Sequence, residues 1–249
     1  MKTPLVGIDR SLISNALATQ HETDGILYVD RLYGVPTMRI FDSDGTEETM
    51  CGNGLRCATR YLRDTYISSD TFSILTGDGK KEVRVIDDFI EVSLGEARNY
   101  RQINHQLHFV FTGVPHLVVI CSELDVASAR IFGKSLREEK SLIELVGHPE
   151  GVNINFMWRN QEGISVCTYE VGVEDITKSC GTGSAACAYV AGNVFGMTLP
   201  LVVNSLGGSL QIKESNGHLS IRGPTRYRGK VIGFMNDTYL KPATPVYYR

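Results

Sequence analysis

Cys51-Gly-Asn-Gly-Leu-Arg-Cys-Ala-Thr-Arg-Tyr-Leu62 and Cys180-Gly-Thr-Gly-Ser-Ala-Ala-Cys-Ala-Tyr-Val-Ala191 are two versions of one phrase. Each sets Cys-Gly-x-Gly at the mouth of a helical pattern with an Ala- and Cys-rich interior. The echo is too sparse to prove duplication. It does point to two similar halves, each offering one cysteine at one helix N-terminus.

Outward from these segments the chain reads mostly as strands. Period-two alternation with β-branched residues runs through 71–75, 81–86, 89–94, 107–111, 116–120, 153–158 and 163–169, then 199–204, 209–213, 219–222 and 229–234. Helical patterns are few: 11–20, 54–64, 125–136, 139–146 and 183–195. A handful of helices among many strands predicts an α+β fold with each helix wrapped by sheet. The expected boundary is a loop at 96–106, dividing an N-terminal half (1–100) from a C-terminal half (101–225), with the last strands, 225–249, returning to the first.

A helix start leaves backbone N–H groups unpaired and carries partial positive charge, so a thiol there is expected to have its pKa lowered toward neutrality. The same N–H groups can hold a carboxylate. One such cysteine is as easily structural as chemical. Two on separate helices suit the inversion of an α-carbon, which needs a base on one face and an acid on the other. Neither a pyridoxal lysine nor a metal is required by that layout, and none is expected.

Bulk properties narrow the alternatives. A net charge of −3 over 249 residues, with dispersed Lys and Arg, gives no footprint for nucleic acid. No apolar stretch approaches a membrane span, and Met1-Lys-Thr-Pro4 lacks a signal peptide's apolar core, so a cytoplasmic protein is expected. The six cysteines then read as free thiols, Cys121 and Cys167 as small core residues, and no C-x2-C spacing suggests zinc.

At these residues the chain resembles the diaminopimelate epimerase family. Met38 through Leu62 is similar to its first signature, and Glu170 with Ser179–Cys187 to its second. Gly113-Val-Pro-His-Leu-Val-Val119 and Gly151-Val-Asn-Ile-Asn-Phe156 are similar to two intermediate blocks, while Asp24-Gly25 and 200–210 also fit. The resemblance implies two α+β halves, each a small barrel-like sheet round a central helix, with the site in the cleft between them. It implies a cofactor-independent isomerase in which Cys51 and Cys180 transfer the protons. His116 and Glu170 would assist the thiols or hold the substrate ammonium. The backbones of Gly52, Asn53, Gly181 and Thr182 would bind the reacting carboxylate. The partner is a small amino acid, and a homodimer is compatible with the resemblance.

The departures bear on the substrate. The family's arginine after the second-signature glutamate, which grips a distal carboxylate, is Val171 here. Two of its asparagines are Asp42 and Val114, and only Asn153 keeps the amide. Valine cannot replace a charge-assisted bidentate contact, and Asp42 would repel a distal carboxylate. A cationic or imidazole amino acid is expected, histidine first, then lysine, ornithine or arginine. The bland alternative pairs Asp42 with Arg39 or Arg56. The family's N-terminal strand and asparagine loop have no counterpart, and 5–9 match only the segment after that loop. Other readings are diaminopimelate epimerase itself, an isomerase of another metabolite, a redox dithiol, and a non-catalytic amino-acid-binding relative.

Overall fold

The computed structural model describes residues 9–149, 151–231 and 244–248. Helix α1 (Arg10–His21) leads into the hairpin β1 (Gly25–Leu32) and β2 (Val35–Asp42), a short β3 (Glu47–Glu48) and helix α2 (Gly52–Thr65). The meander β4 (Thr71–Thr76), β5 (Gly79–Ile86) and β6 (Phe89–Glu96) comes after α2. Next come β7 (Arg98–Gln102), β8 (Leu107–Phe111), β9 (Pro115–Ile120), α3 (Val126–Glu138) and α4 (Lys140–Val146). Then come β10 (Asn153–Arg159), β11 (Gly163–Glu170), β12 (Asp175–Thr177) and α5 (Gly181–Phe195). Three strands, β13 (Leu201–Ser205), β14 (Gly208–Ser215) and β15 (His218–Pro224), precede a ribbon of β16 (Arg226–Val231) and β17 (Thr244–Tyr248).

Among the described residues fifteen strands form one sheet, in the order β1-β2-β4-β5-β6-β15-β14-β13-β11-β10-β9-β8-β7, with β3 against β2 and β12 against β11. The N-terminal and C-terminal stretches meet at the β6–β15 seam. Each repeats one device. Parallel strands need a long crossover, and α2 supplies it between β2 and β4 as α5 does between β11 and β13. The mixed α+β architecture, with each central helix wrapped by sheet, is the one expected.

Packing follows from composition. Ala185, Ala186, Cys187, Ala188 and Ala191 of α5 are fully buried, and side chains this small let the sheet close round the helix. In β8–β11, Val110, Val118, Met157 and Val166 join the cluster round α5, while Phe109, Leu117, Ile154 and Phe156 join another with Ala129 of α3 and Leu142 of α4. Burial on both faces accounts for the near-continuous apolar runs of these strands.

Residues 96–106 are not the loop expected. Arg98–Gln102 is an edge strand disguised by its polar residues. An edge strand needs only one neighbour, and here Arg98 and Arg101 lie over the rings of Phe111 and Phe109, 4.6 and 5.0 Å from their centroids. The strand expected at 229–234 lies outside the described residues beyond 231, as do residues 5–8 of the N-terminal match.

Candidate active site

Both repeated cysteines are helix N-caps. Cys51 has extended backbone (φ −139°, ψ 116°), and its Sγ accepts from the Gly54 N–H at 3.3 Å. Cys180 (φ −109°, ψ 113°) does the same for α5, accepting from Gly183 at 3.4 Å. A sulfur thus does the work usually given to a Ser, Thr or Asp oxygen.

The two helix mouths meet. A methyl group on Gly52 would lie 3.5 Å from the Gly181 Cα, with the Ile221 Cδ1 at 2.6 Å. Asn53 ties them together, donating from Nδ2 to the Ser179 carbonyl at 2.6 Å. The β8–β9 turn closes over this junction. A side chain on Gly113 would contact Met50 Cγ at 3.2 Å and Thr182 Cγ2 at 3.5 Å, and Thr112 Oγ1 donates to the Thr182 carbonyl at 2.9 Å. The residues expected to bind a carboxylate through their backbones, Gly52, Asn53, Gly181 and Thr182, therefore stand in one place.

The thiols are not equivalent. Cys51 is half-buried and Cys180 buried. Burial pushes the Cys180 thiol far up, and the Glu170 carboxylate adds to this; the Thr182 hydroxyl, 3.5 Å from Sγ, and the Gly183 N–H pull the other way but less. The lowered pKa expected from the helix end is thus overturned for Cys180. One helix terminus does not offset full desolvation beside an anion.

His116, at the start of β9, is fully buried, and burial holds its imidazole neutral, down at about 3. Its Nδ1 lies 3.1 Å from Asn155 Nδ2 on the neighbouring parallel strand. Asn155 Oδ1 accepts from Thr168 Oγ1 at 2.9 Å. His116 Nε2 and Asn53 Oδ1 are buried polar atoms with no hydrogen-bond partner among the described residues. Such atoms cost about 1–3 kcal/mol each unless a ligand or water satisfies them.

Asn153 braces the rim of the site. Its Oδ1 accepts from the Val171 N–H at 2.9 Å and its Nδ2 reaches the Pro115 carbonyl at 3.4 Å, so it joins the turn carrying Val171 to the turn carrying Val114. Two protein partners occupy the amide that was expected to contact substrate. Asp42, from the other half, reaches the same rim: a methyl group on Gly172 would sit 2.8 Å from its Oδ2. Arg39 is forked on Glu47, so that guanidinium is already engaged. Glu48 has its carboxyl raised, first by burial and then by the negative charges of Glu170 and Asp44.

The diaminopimelate epimerase profile matches residues 17–100 and 108–227. The chain belongs to the diaminopimelate epimerase family. It is 33% identical over 231 residues to the diaminopimelate epimerase of Methanocella arvoryzae, covering 84% of this chain and 81% of that one. With that of Thermotoga maritima it shares 30% over 209 residues, covering 82% and 84%. Two solved structures share the fold. A phenazine biosynthesis protein of the PhzF family from Bacillus anthracis gives a TM-score of 0.64 at 14% identity, covering 84% of each chain. A hydroxyproline epimerase from Agrobacterium vitis, with trans-4-hydroxy-L-proline bound, gives 0.58 at 14%, covering 80% of this chain and 71% of that one.

As a diaminopimelate epimerase family member the protein is an isomerase of the epimerase and racemase class. The other four cysteines form no disulfide: Cys57 and Cys187 are buried inside the two central helices and Cys167 is buried in the core, while Cys121, expected there too, is only half-buried at its edge; burial raises both Cys121 and Cys167. Among the described residues no helix is long and apolar enough to cross a membrane. Asn155 and the side chain of Asn53 are site residues that the sequence does not disclose. Asn53 stands out there only for its backbone, and Asn155 looks like any polar residue in an alternating strand.

Proposed function

We propose that the protein racemises or epimerises an amino acid without a cofactor, using Cys51 and Cys180 as paired acid and base, and that its substrate carries a cationic or imidazole side chain, histidine foremost. The observation that carries the reaction is the contact between Gly52 and Gly181, which places the two cysteine-capped helix mouths against each other. The α-carboxylate lies across both mouths and takes their free N–H groups. The negative charge that develops on it as the α-proton leaves is held by the same groups and both helix dipoles.

Cys180 enters this cycle as the proton donor, because burial and Glu170 keep it protonated. Cys51 takes the α-proton from the enantiomer whose hydrogen faces it. In the reverse direction Cys180 must ionise, and a substrate ammonium beside Glu170 cancels part of the charge that opposes this.

The substrate class rests on the rim. Asp42 lies against Gly172, next to Val171, where the family resemblance calls for an arginine. Glu48 and Glu170 add acidic surroundings. A distal ammonium or imidazolium is matched there and a distal carboxylate is not. The second reading is diaminopimelate epimerisation, favoured by the name borne by relatives 30–33% identical to this chain.

Proton NMR in D2O with reduced protein and a panel of histidine, lysine, ornithine, arginine and diaminopimelate tests both. Loss of one α-proton signal, abolished by Cys51→Ala and by Cys180→Ala, identifies the reaction and the substrate. Exchange with diaminopimelate alone decides for the second reading, and no exchange with any of them rejects catalysis.

A further inference from the structure

His116, Asn153 and Asn155 lie on the parallel pair β9 and β10, with Asn153 opposite His116 and Asn155 opposite Val118. Val118 and Met157, each two places further along its strand, join the core round α5, so this alternation turns His116 and Asn155 to the face that covers α5. Thr168 of β11 meets them there. The position against the helix mouth is close: a side chain on Gly183 would come within 2.2 Å of Asn155 Oδ1. Gly183 is thus needed where the helix start, the Cys180 cap and Asn155 converge.

The orientation of the Asn155 amide is set by its neighbours. Nδ2 lies 3.1 Å from the Leu117 carbonyl and 3.2 Å from the Asn153 carbonyl, both of which can only accept. The opposite edge takes the Thr168 hydroxyl. The amide nitrogen therefore faces His116 Nδ1; its two hydrogens are shared among these three neighbours, and since it offers no lone pair to a ring N–H, the ring nitrogen opposite it is an acceptor. The proton of the neutral ring is on Nε2, the buried atom without a hydrogen-bond partner among the described residues.

We propose that Asn155 is a positioning residue that fixes His116 in the Nε2–H tautomer, so that His116 acts in the site as a neutral hydrogen-bond donor and not as a base. The proposal rests on the two-thiol reading for its chemistry and on the amide geometry for its proton. An Nε2–H donor cannot hold the substrate ammonium. It donates to an anion: a substrate carboxylate oxygen, or a thiolate as it forms. The β8–β9 turn that precedes His116 rests on Met50, next to Cys51, and on Thr182, two residues after Cys180. Thr168 acts one step further out, by holding the amide that holds the ring.

The test is a long-range proton–nitrogen correlation spectrum of protein labelled with 15N-histidine, which reports the tautomer without reference to turnover. The wild type is expected to show His116 protonated at Nε2. Asn155→Asp, whose carboxylate accepts, is expected to move the proton to Nδ1 or charge the ring, and to lower kcat roughly a hundred-fold with a smaller change in KM. Thr168→Val, which removes one of the contacts that orient the amide and leaves the two carbonyls, is expected to admit a minor share of the Nδ1–H tautomer and to cause a partial loss of kcat. It also stands in if the aspartate variant does not fold. Wild-type protonation at Nδ1, or an unchanged tautomer in both variants, overturns the proposal and leaves the two-thiol reading intact. Protonation at Nε2 in an enzyme that exchanges no α-proton overturns the two-thiol reading and, with it, the catalytic part of the proposal.

Discussion

Gly52 and Gly181 face each other across the junction of the two central helices, close enough that a methyl group on either would touch the other's Cα. A methyl group on Gly52 would be 3.5 Å from the Gly181 Cα, and one on Gly181 would be 3.4 Å from the Gly52 Cα. The tighter contact in both cases is with the Ile221 Cδ1, at 2.6 and 2.9 Å. Each glycine is the residue next to its cysteine, so the junction is built where the two helix mouths hold Cys51 and Cys180.

Alanine at either glycine is therefore expected to force Ile221 aside in a packed core. Ile221 is fully buried, so overpacking should cost about 1–3 kcal/mol. Urea denaturation of Gly52→Ala and Gly181→Ala checks this. Adding Ile221→Val removes the colliding methyl and should recover most of the stability. If it recovers stability but not turnover, the lost activity comes from the spacing of the thiols and not from folding.

Cys180 should respond to Glu170 in a defined direction. The carboxylate is the second cause raising the thiol, after burial, so neutralising it lowers the Cys180 pKa. In a Cys51→Ala background, Glu170→Gln is expected to shift the pH profile of Cys180 alkylation toward lower pH. An unchanged profile would show that burial alone sets this thiol. With both cysteines present the same substitution should lower kcat, because the carboxylate proposed beside the substrate ammonium is gone.

Legibility in the sequence depends on how local each feature is. The two Cys-Gly-x-Gly phrases are read within a few residues, and they locate both helices and both caps. Asn155 is different in kind, since its meaning comes from the pairing of β9 with β10, which no local pattern reveals. The Asn53 bond to Ser179 joins residues 126 apart in sequence. The pKa of Cys180 goes against the sequence expectation because the helix end is visible there while full burial beside Glu170 is not. β7 escapes for the opposite reason: its polar residues satisfy an edge position that looks like a loop.

Burial of His116 gives acid sensitivity of known sign. The folded-state pKa of about 3 lies below the unfolded value near 6.5, so between these limits the unfolded chain binds a proton that the native state excludes. The contribution is fully present above pH 6.5 and is lost as pH falls toward 3, with a slope approaching about 1.4 kcal/mol per pH unit. Denaturation curves above and below pH 6.5 measure it. His116→Gln, whose amide oxygen can still accept from Asn155, is expected to lose this share of the slope. Equal slopes in the two proteins would mean that the histidine is not buried as described.

Substrate choice should follow Asp42 and Val171 jointly. Asp42→Asn removes the charge that favours a distal cation, so KM for a cationic amino acid is expected to rise while kcat changes less, the pattern of lost ground-state binding. Val171→Arg alone places a guanidinium near Asp42, where the two pair with each other, and neither kind of distal group gains. The double variant frees that arginine for a distal carboxylate and is expected to accept diaminopimelate better than the two single changes would predict by addition. Residues within one charge network couple by roughly 0.5–3 kcal/mol, up to about a hundred-fold in kcat/KM. Michaelis parameters for the four proteins on both substrates complete the cycle. Additive effects would mean that Asp42 and Val171 do not share a pocket, and the substrate class argued from them would fall.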